Sequence, residues 1–339
     1  MEYRRLGDSG LTVSALCLGT MMFGARTNES EAKRIVASAA EAGVNFIDTA
    51  DQYAKGESER ITGVAIAANR RHWILATKVG NRMSPVVNET GLSRLWMMRA
   101  IDDSLQRLRT DHVDIYYLHY DDPSTPLEET LGAVGDIIRS GKARYFGVSN
   151  YRGWRLSLLV QLCERMGVPR PVVCQPYYNA MNRQPEVEVL PACRYYGLGV
   201  AAYSPLARGV LTGKYKLGEE PPSDSRAGHR DVRMLETEFR QESLLAAQEI
   251  VEHARKRGMS AVQFAINWVL ANSLVSCAIT GPRTLDQWRE YEACLKFKLD
   301  AEDETLIDRL VAPGHPSSPG YNDPRYPISG RVAHSGVRS

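Results

Sequence analysis

A carboxylate, a phenol, an ammonium and an imidazole stand where apolar strand patterns run out. Asp48 closes NFID, Tyr53 follows within one loop, Lys78 closes WILATK and His119 closes DIYYLH. Strands of a parallel-sheet core are buried on both faces and read as apolar runs. Polar residues at their ends are out of place unless those ends open on a pocket. A phenol, with a pKa of about 10, is a reluctant proton donor at neutral pH. A neighbouring ammonium favours the phenolate and lowers that value. Lys78 can serve as that ammonium, with Asp48 holding it charged and fixed, the two together depressing the Tyr53 pKa. His119 can donate a hydrogen bond to the oxygen that Tyr53 protonates. Such a set is a positioned acid with electrostatic support for a developing alkoxide, the environment a carbonyl oxygen needs when its carbon receives hydride. Singly, each residue has a plain structural explanation: a strand-end cap for Asp48, a snorkelling rim lysine for Lys78, a satisfied histidine for His119, and one tyrosine among 16 for Tyr53. Their joint placement on consecutive strands is not explained that way.

The elements that must position them follow a regular alternation. A hairpin is expected first, YRRLG, a DSG turn and LTVSALCLG. Strand-like runs then alternate with helical ones: ALCLGT, NFIDTA, WILATK, DIYYLHY, ARYFGVSN, PVVCQPYYN, GVAAYSPL and VSCAITG, each followed by an amphipathic stretch. In SRLWMMRAIDDSLQRLR, Met98, Ile101, Leu105 and Leu108 recur at helical spacing and define an apolar face. Alternation implies a parallel sheet. Eight units favour a closed barrel, whose strand ends all open on one rim where active sites are built. The strand-one turn reads CLGTMMFG and lacks the G-x-G-x-x-G of a Rossmann domain. The expected fold is therefore α/β: a (β/α)8 TIM barrel with an N-terminal β-hairpin and extra C-terminal helices, one domain over residues 1–339. Two segments fall outside the pattern, the Gly- and Pro-rich connection 207–235 and the tail 313–339. The connection reads as a functional or a disordered loop. The tail reads as a mobile terminus or as a flap over the barrel mouth, with Tyr321 and Tyr326 as contacts.

Composition narrows the classes further. The chain has 339 residues, 43% hydrophobic and 24% charged, and Lys+Arg 42 against Asp+Glu 40 leaves +2, a balance that points away from nucleic acid and anionic membranes. Its cysteines, Cys17, Cys163, Cys174, Cys193, Cys277 and Cys294, form no CxxC pair and no zinc spacing, so no metal is expected and a reducing, cytoplasmic setting is the natural reading. No signal peptide and no membrane span are expected. Sequence alone leaves a homo-oligomer open.

The runs FIDTADQYAKGESE, ATKVG, LHYDDPSTPLEETL, GKARYFGVSN, QPYYN and AYSPLARGVLTGKY together resemble the aldo-keto reductase superfamily, in its bacterial branch related to the potassium-channel β subunits. The resemblance extends from the hairpin to about Leu310. It implies the same barrel, a nicotinamide cofactor held without a Rossmann fold, and the roles of the catalytic four on Asp48, Tyr53, Lys78 and His119. It further implies Thr20 and Met21 near the nicotinamide, along with Asp48; Ser149, Asn150 and Gln175 on its carboxamide; and Tyr203 stacked on its ring. Ser204, Leu206, Gly209 and Leu211 would line the pyrophosphate path. Lys214, Gly281, Arg283, Gln287 and Glu290 would lie at the adenosine end, where a 2′-phosphate wants cations and a helix N-terminus. NADP(H) is expected ahead of NAD(H). Tyr291 stands where many members have Asn. The residues beside Tyr53 (Asp51, Gln52, Ala54, Lys55 and Gly56) also depart from the usual pattern and point to altered specificity. Trp96 and Tyr120 are rim candidates.

The leading expectation is an NADP(H)-dependent oxidoreductase acting on a small carbonyl or alcohol substrate. A cofactor-sensing module like a channel β subunit, with weak catalysis, is the alternative, although the hairpin begins almost at Met1 and leaves no segment suited to gating. A Schiff-base aldolase built on Lys78 is the third.

Overall fold

The computed structural model describes residues 1–328. A short antiparallel hairpin comes first, β1 (Tyr3–Arg5) with β2 (Thr12–Ser14), Tyr3 opposite Ser14. Parallel strands follow: β3 (Leu16–Gly19), β4 (Phe46–Asp48), β5 (Ile74–Val79), β6 (Val113–Leu118), β7 (Ala143–Ser149), β8 (Val173–Gln175), β9 (Gly199–Tyr203) and β10 (Cys277–Thr280). They close in the order β10-β3-β4-β5-β6-β7-β8-β9, the expected eight-stranded barrel. One helix follows each of β3 to β8: α1 (Glu29–Glu41), α2 (Glu57–Ile66), α3 (Arg94–Leu108), α4 (Leu127–Arg139), α5 (Gly153–Met166) and α6 (Val189–Tyr196). Between β9 and β10 lie α7 (Val232–Thr237), α8 (Gln241–Lys256) and α9 (Ala261–Ala271), and after β10 come α10 (Leu285–Glu292) and α11 (Ala301–Leu310).

The pleat decides what faces inward. Side chains at i and i+2 share a strand face. Cys17, Phe46, Ala76, Ile115, Tyr117, Val173, Ala201 and Cys277 pack together as the barrel interior. The next inward positions toward the C-terminal end are Asp48, Lys78, His119, Gln175 and Tyr203. Alternation thus carries the polar strand ends into the open mouth. The opposite face of each strand, including Ile47, Leu75, Tyr116, Phe146, Val148 and Val200, packs against the helices in a separate, larger core. The hairpin closes the other end. Leu6 and Val13 join the interior cluster, and the Asp8 amide donates to the Gly197 carbonyl at 2.8 Å. Among the described residues the C-terminal rim is the open end of the barrel.

Three expectations change in detail. LTVSALCLG is two strands, because β2 pairs with β1 whereas β3, after Ala15, pairs with β4 and β10. The buried face of α3 is carried by Met97, Ala100, Ile101, Ser104 and Leu108, with Met98 and Leu105 only partly covered. Trp96 is 4% exposed and belongs to the core, not the rim. The connection 207–235 takes a defined path: Ala207–Thr212 form a 3₁₀ segment, and α7 begins within its end. The described part of the tail also packs. The Ser317 amide donates to Met181 O at 2.9 Å, the Arg240 guanidinium lies 3.7 Å from the Tyr321 ring centroid, and Arg233 pairs with Asp323 at 2.6 Å. Residues 329–339 of the expected flap lie outside the described residues.

Helix spacing depends on one small residue. A Cβ on Gly63 of α2 would stand 2.2 Å from the Leu108 carbonyl oxygen at the end of α3. That neighbour is backbone, so relief requires the two helices to separate. Gly63→Ala is expected to lower unfolding free energy by about 1–3 kcal/mol or more, the scale of overpacking a core. Urea denaturation measures this; an unchanged midpoint would refute the close contact.

Candidate active site

Lys78 is fully buried beneath the mouth. Its Nζ donates to Asp48 Oδ2 at 2.5 Å, to the Thr49 carbonyl at 2.7 Å and to the Tyr53 hydroxyl at 3.2 Å. An ammonium has three protons, and these acceptors use all of them. Asp48 is also held from the opposite wall, where Gln175 Nε2 donates to its Oδ1 at 3.0 Å. Because Tyr53 accepts from Lys78, its own proton is directed elsewhere, and among the described residues no protein acceptor takes it.

The electrostatics differ from the sequence expectation in one respect. Burial pushes the Tyr53 phenol up, Lys78 pulls it down and Asp48 pushes it up, so the net value lies above that of a free phenol. Lys78 does stabilise the phenolate, but burial, joined by the Asp48 charge, outweighs it. For Lys78 itself, burial disfavours the charge, yet Asp48 and Tyr53 more than compensate and raise its pKa. Burial, then the charges of Lys78 and Arg325, drive His119 well below the ordinary imidazole range. Tyr53 is thus a phenol and His119 a neutral imidazole at neutral pH.

Tyr53, His119 and Asp48 open on a cavity of about 480 Å³ that runs from the mouth to the start of α10. Most residues expected at a cofactor line it: Thr20, Met21, Ser149, Asn150, Gln175, Tyr203, Ser204, Leu206, Gly209, Lys214, Gly281, Arg283 and Gln287. Tyr291, the departure from the family pattern, lines it too. Leu211 and Glu290 do not. Leu211 is fully buried in the outer core, and Glu290 turns away to accept from Ser260 Oγ at 2.9 Å. Several lining residues were not singled out in the sequence, notably Arg26, Arg208, Arg226, Arg233 and Arg325. They come from loops, the short α7 and the tail, where no periodicity marks them. An excess of Arg in the connection 207–235 was the only available signal.

The wall is pre-shaped. Asn150 donates to the His119 carbonyl at 2.9 Å and accepts from the Tyr203 hydroxyl at 2.8 Å. Ala54, Asn150, Ser204 and Arg208 line the cavity with φ of 48°, 59°, 57° and 51°. Left-handed backbone at non-glycine residues is uncommon and clusters where a site imposes it. At the far end, burial and then Arg283, Arg226 and Arg26 lower the Lys214 pKa. The nearest carboxylate to Arg283, that of Asp224, is 4.0 Å away. Cations that repel one another inside a cleft, next to the α10 N-terminus, are a donor set suited to phosphate.

The site is thus a buried Lys–Asp–Tyr group at the C-terminal mouth of a closed parallel barrel, opening on a basic cleft. The Aldo/keto reductase family profile matches residues 15–312, and the chain belongs to that family. It is similar to the uncharacterized oxidoreductase YrpG of Bacillus subtilis, 36% identical over 333 residues covering 95% of this chain and 99% of that one. L-glyceraldehyde 3-phosphate reductase of Escherichia coli K12 is 34% identical over 327 residues, 93% of each chain. A probable voltage-gated potassium channel subunit beta of Oryza sativa is 38% identical over 288 residues, 83% of this chain and 87% of that one.

A second buried acid group lies beside this site. Glu59 accepts from the Thr77 hydroxyl at 2.5 Å and from Arg107 Nε at 2.6 Å. Asp51 accepts from the Gln52 amide at 2.6 Å on Oδ1, while its Oδ2 is buried without a partner. Burial and then the Glu59 charge raise the Asp51 pKa well above the carboxylate range. Below about pH 4 an unfolded Asp also holds its proton. Above that, unfolding releases the proton that folded Asp51 retains, so stability falls as pH rises toward the folded pKa. Asp51→Asn removes this loss. Its gain in Tm over the parent is expected to be larger at pH 8 than at pH 5; equal gains at both would show that Asp51 ionises freely in the fold.

Proposed function

We propose that the chain is an NADP(H)-dependent oxidoreductase that interconverts a small aldehyde or ketone and its alcohol, with Tyr53 as the proton donor to the carbonyl oxygen. The observation that carries the reading is the saturation of Lys78. With its three protons committed to Asp48, Thr49 and Tyr53, the ammonium holds the phenol oxygen and leaves the phenol proton facing the cavity. Tyr53 delivers that proton to the substrate oxygen. Lys78, at 3.2 Å, stabilises the phenolate left behind, and its Asp48 partner keeps it charged and immobile. In the oxidative direction the phenolate takes the proton back. His119, a neutral imidazole on the same cavity, orients the substrate oxygen. A nicotinamide dinucleotide, when bound, supplies or accepts the hydride.

Ser149, Asn150 and Gln175 would hold its carboxamide, Tyr203 would stack against the ring, and Thr20, Met21, Ser204, Leu206 and Gly209 would follow it toward the phosphates. Gly281 leaves the cleft floor bare, since a Cβ there would meet only the Gly19 carbonyl, at 3.6 Å. Lys214, Arg226 and Arg283 would take the 2′-phosphate, and the relief of their mutual repulsion is the basis for preferring NADP(H) over NAD(H).

Two experiments test the reading. Tyr53→Phe should bind NADPH with parental affinity in a fluorescence titration yet lose about 10²–10⁴-fold in turnover of any accepted carbonyl, the usual worth of a positioned acid; near-parental turnover would remove Tyr53 from the role. Arg283→Ala should weaken NADPH binding about 10- to 100-fold, as for a lost charge-assisted contact, and leave NADH binding unchanged. Equal losses for both nucleotides would place the 2′-phosphate elsewhere.

A further inference from the structure

The described tail reaches the catalytic rim through a pair of residues that neither the strand pattern nor the family resemblance assigned. Arg325 donates to Asn81 Oδ1, and Asn81 Nδ2 lies 2.9 Å from His119 Nδ1. Hydrogen-bond chemistry orients this chain. A guanidinium carries donors only, so the amide oxygen of Asn81 must face Arg325 and its NH2 must face the imidazole. The NH2 group can only donate, so Nδ1 must be the acceptor and carries no proton. A neutral imidazole then holds its single proton on Nε2. Among the described residues Nε2 has no protein partner. The ring lines the cavity edge-on to Tyr53, with centroids 6.0 Å apart and planes at 82°.

We propose that Asn81 and Arg325 are positioning residues that set the tautomer of His119, so that Nε2–H is presented to the substrate oxygen. The proposal rests on the reading above that His119 meets that oxygen. Asn81 alone is not sufficient, because an amide free to turn over would offer its oxygen to Nδ1–H and select the opposite tautomer. Arg325 removes that freedom. The tail in turn holds Arg325, since Arg152 donates to the Tyr326 carbonyl at 2.8 Å and Arg233 pairs with Asp323 at 2.6 Å. Asn81 is 6% exposed, which keeps water from replacing the amide at the imidazole, whereas Arg325 is exposed and depends on the tail contacts to hold its place.

The test is imidazole ¹⁵N NMR of the full chain without nucleotide, with the His119 signals assigned by their loss in His119→Asn. The parent should show an unprotonated Nδ1 and a protonated Nε2 at neutral pH. In Asn81→Asp, an isosteric change whose carboxylate accepts from both sides, the proton should move to Nδ1. Arg325→Ala should give a mixture of tautomers, and Arg325→Lys should restore the parental one in part. Steady-state kinetics should show kcat lower by about 10- to 100-fold in Asn81→Asp, the scale of a misoriented catalytic group, with nucleotide Kd unchanged. A parental His119 protonated on Nδ1 would overturn the proposal. So would Asn81→Asp and Arg325→Ala spectra identical to the parent, or a moved proton with unchanged kcat. If Asn81→Asp does not fold, the parental and Arg325 spectra decide alone. The expected tautomer in a protein that turns over no carbonyl would support the assignment and sink the functional reading instead.

Discussion

The open end of the barrel is organised around one buried ion pair, Lys78 with Asp48 at 2.5 Å, their side chains 0% and 3% exposed. Removing two charges from water is costly, and such a pair is tolerated only when the remaining hydrogen-bond capacity is met. Here it is met on both sides. Gln175 from β8 takes the second carboxylate oxygen, and Thr49 and Tyr53 from the β4 loop take the remaining ammonium protons. The pair therefore ties β4, β5 and β8 together across the mouth and fixes the phenol oxygen. Deleting one partner would leave the other charge stranded, at a cost of about 3–5 kcal/mol.

Around this pair the molecule separates stability from chemistry. The hairpin and the interior apolar layer close one end, and the helices pack outside. Left-handed backbone gathers at the other end, where Ala54, Asn150, Ser204 and Arg208 adopt it beside the cavity. Charge is divided as well. The mouth holds a neutral imidazole and a phenol next to a compensated ammonium, whereas the far end holds Lys214, Arg226 and Arg283 together, with Asp231 3.7 Å from Arg226 and Asp224 4.0 Å from Arg283. One cleft can thereby offer a proton at one end and bind phosphate at the other.

What was readable in the chain follows from periodicity. The β/α alternation pointed to the barrel, and the place of Asp48, Lys78 and His119 at strand ends pointed to its rim. That they face inward is seen in the fold, where Phe46, Ala76 and Tyr117, two residues earlier, form the interior. What was not readable depends on packing between distant segments. Leu211 and Glu290 sit beside true lining positions in sequence, but a 3₁₀ turn buries the first and helix rotation sends the second to Ser260. The sign of the Tyr53 shift was also hidden, since two neighbouring charges can be named from sequence while the depth of burial cannot.

The sequence by itself determined the architecture and the chemical types that meet at the rim, because both depend on local pattern: apolar strand runs alternating with helical repeats, and polar residues at strand ends. Only the tertiary structure decided how those groups are wired. Which proton of Lys78 meets which acceptor, which nitrogen of His119 carries hydrogen, and which arginines of a long loop and a tail reach the cleft are set by distances between parts of the chain far apart in number. Hydrogen bonds and desolvation act over a few ångströms in space, and no spacing along the chain encodes them.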